Sequence, residues 1–203
     1  MLNLKDPSLL ISSAYIDGAW VASDQRMPVK NPASGQTIAE VADLGVAGAR
    51  TAIDAAQRAQ PDWAARTARE RSAILLKWNQ LMLDNADDLA RILTAEMGKP
   101  LLEAKGEIAY GASFIEWFAQ EGRRVYGDTI PGHQADKRIL VLKQPIGVAA
   151  SVTPWNFPNA MIARKVGPAL AAGCTFVARP SELTPLSALA MAVLGYASGE
   201  GPG

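Results

Sequence analysis

The stretch Gly147-Val148-Ala149-Ala150-Ser151-Val152 runs without a break into Thr153-Pro154-Trp155-Asn156-Phe157-Pro158, and the fold turns on that junction. The first six residues are apolar or small throughout, the pattern of a strand buried on both faces in a parallel sheet. A helical stretch follows to Ala172, then the short apolar strand Thr175 to Ala178, then Arg179-Pro180-Ser181-Glu182 and a helix after Pro185. This β-α-β-α order predicts a doubly wound α/β sheet, whose ligands sit beyond the carboxyl ends of its strands. Both polar loops fall at such ends.

Upstream the periodicity changes twice. Asp17-Gly18 lies between Tyr15-Ile16 and Ala19-Trp20 as a two-residue hairpin turn, and Ser34-Gly35 marks another turn, so the first 45 residues read as strands. From Val46 the period is helical. Ala52, Ile53, Ala56 and Ala59 form one face that stops before Pro61, and Thr67 with Glu70 makes a capping box ahead of Ile74, Leu75, Trp78, Leu81 and Met82. The helix from Asn85 ends at Gly98 and Pro100, by a left-handed cap and a residue without an N–H. The next runs to about Arg124 on a face of Ile108, Ala112, Ile115 and Ala119, which leaves Glu103, Lys105 and Glu107 as a solvated face. Gly127 to Gly132 is rich in turn residues, and Arg138 to Lys143 reads as an exposed strand.

Composition narrows the function classes. Twenty Lys and Arg balance twenty Asp and Glu in 203 residues, with 49% hydrophobic residues and a mean hydropathy of +0.03. A balanced charge without a basic cluster removes the driving force for binding nucleic acid or anionic membranes. Cys174 is the single cysteine, which excludes an intrachain disulfide, and no Cys/His cluster offers a metal site. No apolar run approaches the roughly 18 residues of a membrane span, and Leu9 to Ile11 is too short for a signal-peptide core, so the expected compartment is cytoplasmic.

The two loops hold the candidate chemistry. Asn156 at a strand's carboxyl edge can donate its amide to a developing oxyanion, a contact worth roughly 2.7–4 kcal/mol in the transition state; alternatively it caps the helix opening near Pro158. Arg179 and Glu182 suit a cofactor ribose, since a carboxylate accepts from two adjacent hydroxyls and repels a 2′-phosphate; alternatively they are a turn with a surface ion pair. Cys174 precedes an apolar strand, where a thiol yields little thiolate, and His133 lies in a polar loop. Neither is assigned a role.

Thr153-Pro154-Trp155-Asn156-Phe157-Pro158, Gly167-Pro168-Ala169-Leu170-Ala171-Ala172-Gly173-Cys174-Thr175 and Arg179-Pro180-Ser181-Glu182-Leu183-Thr184-Pro185 together resemble the aldehyde dehydrogenase superfamily. The likeness extends through Asn31-Pro32-Ala33-Ser34-Gly35, Glu96-Met97-Gly98-Lys99-Pro100 and Gln144-Pro145-Ile146-Gly147-Val148, and reaches to about Ala192. Gly106-Glu107-Ile108, Phe114 to Phe118, Tyr126 to Pro131 and Met161 to Lys165 are most similar to the succinate-semialdehyde dehydrogenase branch, with glutarate-semialdehyde dehydrogenase hard to separate from it. The resemblance implies an α/β fold: an incomplete doubly wound, Rossmann-type cofactor-binding domain with a protruding β oligomerisation arm. It implies boundaries at 1–125 for the N-terminal hairpins and helices, 126–146 for the arm, 147–195 for the first βαβα part of the sheet, and 196–203 for a divergent tail.

The same resemblance implies that Asn156 is the oxyanion-hole amide. Trp155, Asn156, Arg179, Pro180, Ser181 and Glu182 then meet a nicotinamide cofactor, NAD with NADP not excluded, and Arg164 binds the far carboxylate of a small semialdehyde. Arg164 follows Asn156 by about two helical turns, and a guanidinium is the side chain best shaped to hold a carboxylate. The full enzyme is expected to be a homo-oligomer with no nucleic-acid or membrane partner. Arg179 stands where the family has lysine. The family's nucleophilic cysteine and general-base glutamate lie beyond the matched region, so this chain reads as a truncated enzyme without turnover, or as an inactive remnant that binds cofactor weakly or joins full-length subunits. The tail from Gly195 reads as a truncation, a frameshift product or an incomplete gene.

Overall fold

The computed structural model describes residues 2–199. Two antiparallel hairpins open it. β1 (Ala14–Ile16) and β2 (Ala19–Val21) are joined by Asp17 and Gly18, with φ of 55° and 74°. Both central residues at positive φ is what a type I′ hairpin turn requires. β3 (Arg26–Lys30) then pairs with β4 (Thr37–Ala42) from Arg26↔Ala42 to Lys30↔Thr37.

Four helices follow: α1 (Gly45–Ala65), α2 (Ala68–Asp84), α3 (Ala86–Met97) and α4 (Leu101–Glu121). The capping box opens α2, since Thr67 Oγ1 accepts from the Glu70 amide and Glu70 Oε2 accepts from the Thr67 amide. Gly98 closes α3 at φ 84°. Ile108, Ala112, Ile115 and Ala119 are all buried and pack with Leu75, Met82 and Leu93 into the core. α1 departs from expectation: it runs through Pro61, and Ile53 is 48% exposed while Ala55, Ala56, Gln60 and Trp63 are buried. Tertiary bonds explain the extra turn. The Trp63 indole N–H donates to the Leu170 carbonyl at 3.1 Å, and Gln60 donates to the Gly173 carbonyl and accepts from the Thr175 amide.

Beyond α4, β5 (Asp128–Pro131) and β6 (Arg138–Val141) form an antiparallel hairpin that is almost wholly exposed. The stretch read as turn-rich is thus in part a strand, bracketed by Gly127 and Gly132 where the backbone of Val141 and of Lys137 leaves no room for a side chain. Then β7 (Val148–Val152), α5 (Ala160–Ala171), β8 (Thr175–Arg179) and α6 (Pro185–Ala197) complete the described chain. β7 and β8 pair in parallel from Val148↔Thr175 to Val152↔Arg179. The chain is α/β, with the opening βαβα of a Rossmann-like sheet. β7 is less buried than its composition predicts. Val152 is 71% exposed, because among the described residues only β8 pairs with it. α6 carries the helix into the stretch read as divergent, through Ala197; residues 200–203 of that tail lie outside the described residues.

Buried carboxylates join these layers. Asp88 on α3 accepts the amides of Lys5 and Asp6 at 3.0 and 2.8 Å, anchoring the N-terminal segment. Glu96, in the last turn of the same helix, accepts the amides of Leu186 and Ser187 at 2.7 and 2.8 Å and so caps α6 from outside. Burial pushes the Glu96 carboxyl up to about 7, with the bonds from Ser187 and Leu186 pulling against it. The folded chain therefore keeps a proton on Glu96 where the unfolded chain has lost it. The stability tied to that proton is complete below the ordinary glutamate range and is lost as pH rises through about 7. The expected outcome is a melting temperature that falls from about pH 5 to about pH 8, a loss on the order of 3 kcal/mol for this group. Glu96→Gln should flatten that slope; a variant whose profile runs parallel to the parent's would contradict the assignment.

Candidate functional site

The parallel register brings the two polar loops to one edge. Val152 and Arg179 end their strands side by side, and the Thr153 amide donates to the Arg179 carbonyl at 3.2 Å. From that edge one loop carries Trp155, 50% exposed, and exposed Asn156, while the other carries exposed Arg179 and Glu182. The second loop is a shaped turn: Ser181 is buried, its hydroxyl accepts from the Leu183 amide, and its carbonyl accepts from the Thr184 amide. Arg179 and Glu182 form an ion pair at 3.4 Å with both side chains more than half exposed. Such a pair contributes little stability, so a ligand could part it at small cost.

Arg164 lies on the exposed side of α5. Its guanidinium carbon sits 5.4 Å from the centre of the Phe114 ring, and Phe114 meets Tyr110 edge-on with centroids 4.6 Å apart. Phe114 of α4, itself braced by Tyr110, therefore makes a bed for the cation without occupying its hydrogen-bond donors.

The asparagine loop is held by residues to which the sequence analysis gave no role. Glu107, assigned there to a solvated face, is 3% exposed. Its Oε1 accepts the amides of Asn159 and Ala160 at 3.0 and 3.3 Å, capping α5, and its Oε2 pairs with Lys99 Nζ at 2.6 Å. Among the described residues no side chain of the loop itself caps α5, so the capping alternative for Asn156 falls away: the carboxylate from α4 has taken the work. Lys99 Nζ also donates to the Asn156 carbonyl at 3.2 Å and sits 3.7 Å from the Phe157 ring centre. A signal for Glu107 was available, since it shares the stripe of Ala104, Ile108, Gly111 and Ile115 at helical spacing. Gly111 is part of the same fit, because a Cβ there would lie 2.1 Å from Asn159 Oδ1. Glu103 is exposed as expected, and Lys105 is part-exposed and pairs with Asp87.

Cys174 is buried and stands immediately before β8, at the amino edge. Strand rise puts it roughly 13–17 Å from the loops at the carboxyl edge. Its surroundings are more polar than its sequence neighbours predict: the half-buried Arg71 guanidinium interacts with it electrostatically while donating to the carbonyls of Ala171, Ala64 and Arg66. His133 is exposed in the turn between β5 and β6. Among the described residues no group of His, Cys, Asp and Glu could hold a metal ion, and no helix is long and apolar enough to cross a membrane.

Residues 20–202 match the model of the aldehyde dehydrogenase family, a match that runs past Ala192 and into the stretch read as divergent. The chain is 60% identical over 200 residues to the glutarate-semialdehyde dehydrogenase of Pseudomonas putida, covering 98% of this chain and 42% of that protein. It is 58% identical, with the same coverage, to the NADP-type succinate-semialdehyde dehydrogenase of Escherichia coli. A crystal structure of an aldehyde dehydrogenase from Brucella melitensis superposes with a TM-score of 0.97 at 56% identity, over 98% of this chain and 42% of that one. The chain thus spans about two fifths of the length of the relatives it matches. With a family match over most of its length and that depth of identity, the chain belongs to the aldehyde dehydrogenase family.

Proposed function

We propose that this chain forms the amide and cofactor side of an NAD(P)-dependent aldehyde dehydrogenase centre that oxidises a short aldehyde bearing a distal carboxylate, succinate semialdehyde or its glutarate homologue. The observation that carries the reading is the exposed edge shared by Asn156 and the Arg179–Glu182 pair, with Arg164 just over one turn into the helix that follows.

Each residue has a task there. Asn156 donates its side-chain N–H to the oxygen that becomes an oxyanion when the aldehyde carbon turns tetrahedral, and a neutral amide does this at any pH. Arg164, with its donors free of the Phe114 ring, takes the far carboxylate in a charge-assisted contact worth about 1.5–3 kcal/mol. Trp155, with the turn from Arg179 through Pro180 and Ser181 to Glu182, faces the cofactor, and Glu182 accepts from ribose hydroxyls. Bound NAD or NADP supplies the acceptor for the hydride. Glu182 favours NAD by repelling a 2′-phosphate, while Arg179 opposes that preference and stands close enough to mute it. The attacking thiolate and the general base are not among these residues: Cys174 sits at the wrong edge of the sheet. The exposed β5–β6 hairpin, with Leu140 and Leu142 uncovered, suits assembly with further copies or with full-length subunits.

Two experiments test this. In an enzyme completed with the C-terminal remainder of the Pseudomonas putida relative, Arg164→Ala should raise KM for succinate semialdehyde by about tenfold or more, and leave an uncharged aldehyde of similar size nearly unaffected. Equal effects on both substrates would make Arg164 structural. The chain by itself should reduce no cofactor with succinate semialdehyde; turnover that Cys174→Ala abolishes would make Cys174 a nucleophile and refute the division of labour proposed above.

A further inference from the structure

We infer that Lys99 is a positioning residue for Asn156, an inference that rests on the proposed role of Asn156 as oxyanion donor. Lys99 lies in the turn between α3 and α4, far in sequence from the loop, yet its ammonium makes three contacts that bear on it. It donates to the Asn156 carbonyl at 3.2 Å, lies 3.7 Å from the centre of the Phe157 ring, and pairs at 2.6 Å with Glu107. Both partners of the ion pair are almost fully buried. Through Glu107 the same pair holds the amides of Asn159 and Ala160. The backbone is therefore gripped at, and just beyond, the residue whose side chain must stay free. Asn156 has its carbonyl tied down, its successor's ring clamped, and the helix two residues further on capped by a charge.

The chemistry explains why a cation is needed. A cation beside Glu107 offsets the cost of taking its carboxylate out of water, and an ammonium has three donors on a compact head. One donor serves Glu107, another reaches the Asn156 carbonyl, and the ring face takes part of the remaining charge. Peptide planarity then transmits the constraint: with the carbonyl of Asn156 and the amide of Asn159 both held, few backbone rotations remain between them. An oxyanion donor gains most when it needs no reorganisation at the moment of reaction.

Amide hydrogen exchange on the full chain reads this without turnover. Lys99→Met should speed exchange over residues 153–160 by about tenfold or more while α4 and α6 keep their protection, and Lys99→Arg, which keeps the charge, should restore much of the loss. Unchanged exchange over 153–160, acceleration spread equally over α4, α5 and α6, or an Arg variant as loose as the Met variant would overturn the inference. Should Lys99→Met fail to fold, Phe157→Leu keeps the ion pair and removes only the ring; it should loosen the same segment by a smaller factor, and no loosening would count against Lys99. In the completed enzyme Lys99→Met should lower kcat with KM for the aldehyde nearly constant, because the oxyanion bond exists only after attack. A loosened loop with undiminished kcat would overturn the role of Asn156 and with it the purpose assigned to Lys99, whereas unchanged exchange overturns Lys99 alone.

Discussion

Buried carboxylates that accept two successive backbone amides from a distant segment hold this molecule together. Asp88 takes the amides of Lys5 and Asp6, Glu96 those of Leu186 and Ser187, and Glu107 those of Asn159 and Ala160. The first turn of a helix exposes amides with no partner inside the helix and carries the positive end of its dipole. A carboxylate from a neighbouring helix answers both needs, at the expense of bringing a charge out of water or, at Glu96, of holding a proton up to about pH 7. Each bond pair fixes direction as well as distance, which apolar packing alone does not. The crossover helix α5 is thereby indexed to α4, and α6, which follows β8, to α3, and through them both to the core.

That indexing sets the functional edge. A two-stranded parallel pair has little rigidity of its own, and one face of β7 is open. The loops leaving it are held instead from the helical layer: Glu107 and Lys99 fix the start of α5 and the turn before it, and Glu96 fixes the start of α6 just beyond Glu182. The exposed residues at the tips are left without strong internal partners. Trp155 and Asn156 face outward, and the Arg179–Glu182 pair is screened by water. Rigid backbone with uncommitted side chains is the arrangement a site needs when it must bind without rearranging.

Much of this was legible because single residues carry local physics. Asp17-Gly18, Thr67 with Glu70, and Gly98 announce a turn, a cap and a stop, and each does what its chemistry demands. The parallel pair follows from two apolar runs separated by a helix. What stayed hidden depends on partners far away in sequence. Pro61 reads as a helix stop, yet Gln60 and Trp63 find carbonyls just beyond α5 and in its last turn, and these bonds carry α1 past it. Glu107 reads as solvated because charge suggests water, although its position falls on the buried stripe. Where residue type and helical position disagree, position was the better guide, and the disagreement itself marked the carboxylate that caps α5.

The two edges of the parallel pair divide stability from chemistry. At the amino edge Gln60 serves the Gly173 carbonyl and the Thr175 amide, the Thr175 hydroxyl donates to Ala56, and Arg71 donates to the carbonyl ends of α1 and α5. Cys174 is enclosed among these bonds, and a thiol so enclosed has no approach for an aldehyde. At the carboxyl edge the strand ends meet solvent and the donors point outward. Parallel strands force this asymmetry, since every strand begins where the connecting helices return and ends where they have yet to start. A reactive group at the amino edge would have to displace bonds that hold the layers together, while one at the carboxyl edge displaces only water and a weak surface ion pair. Catalytic residues can therefore accumulate at one edge without unfolding the other, and the position of Asn156 follows from strand direction before any comparison of its neighbours.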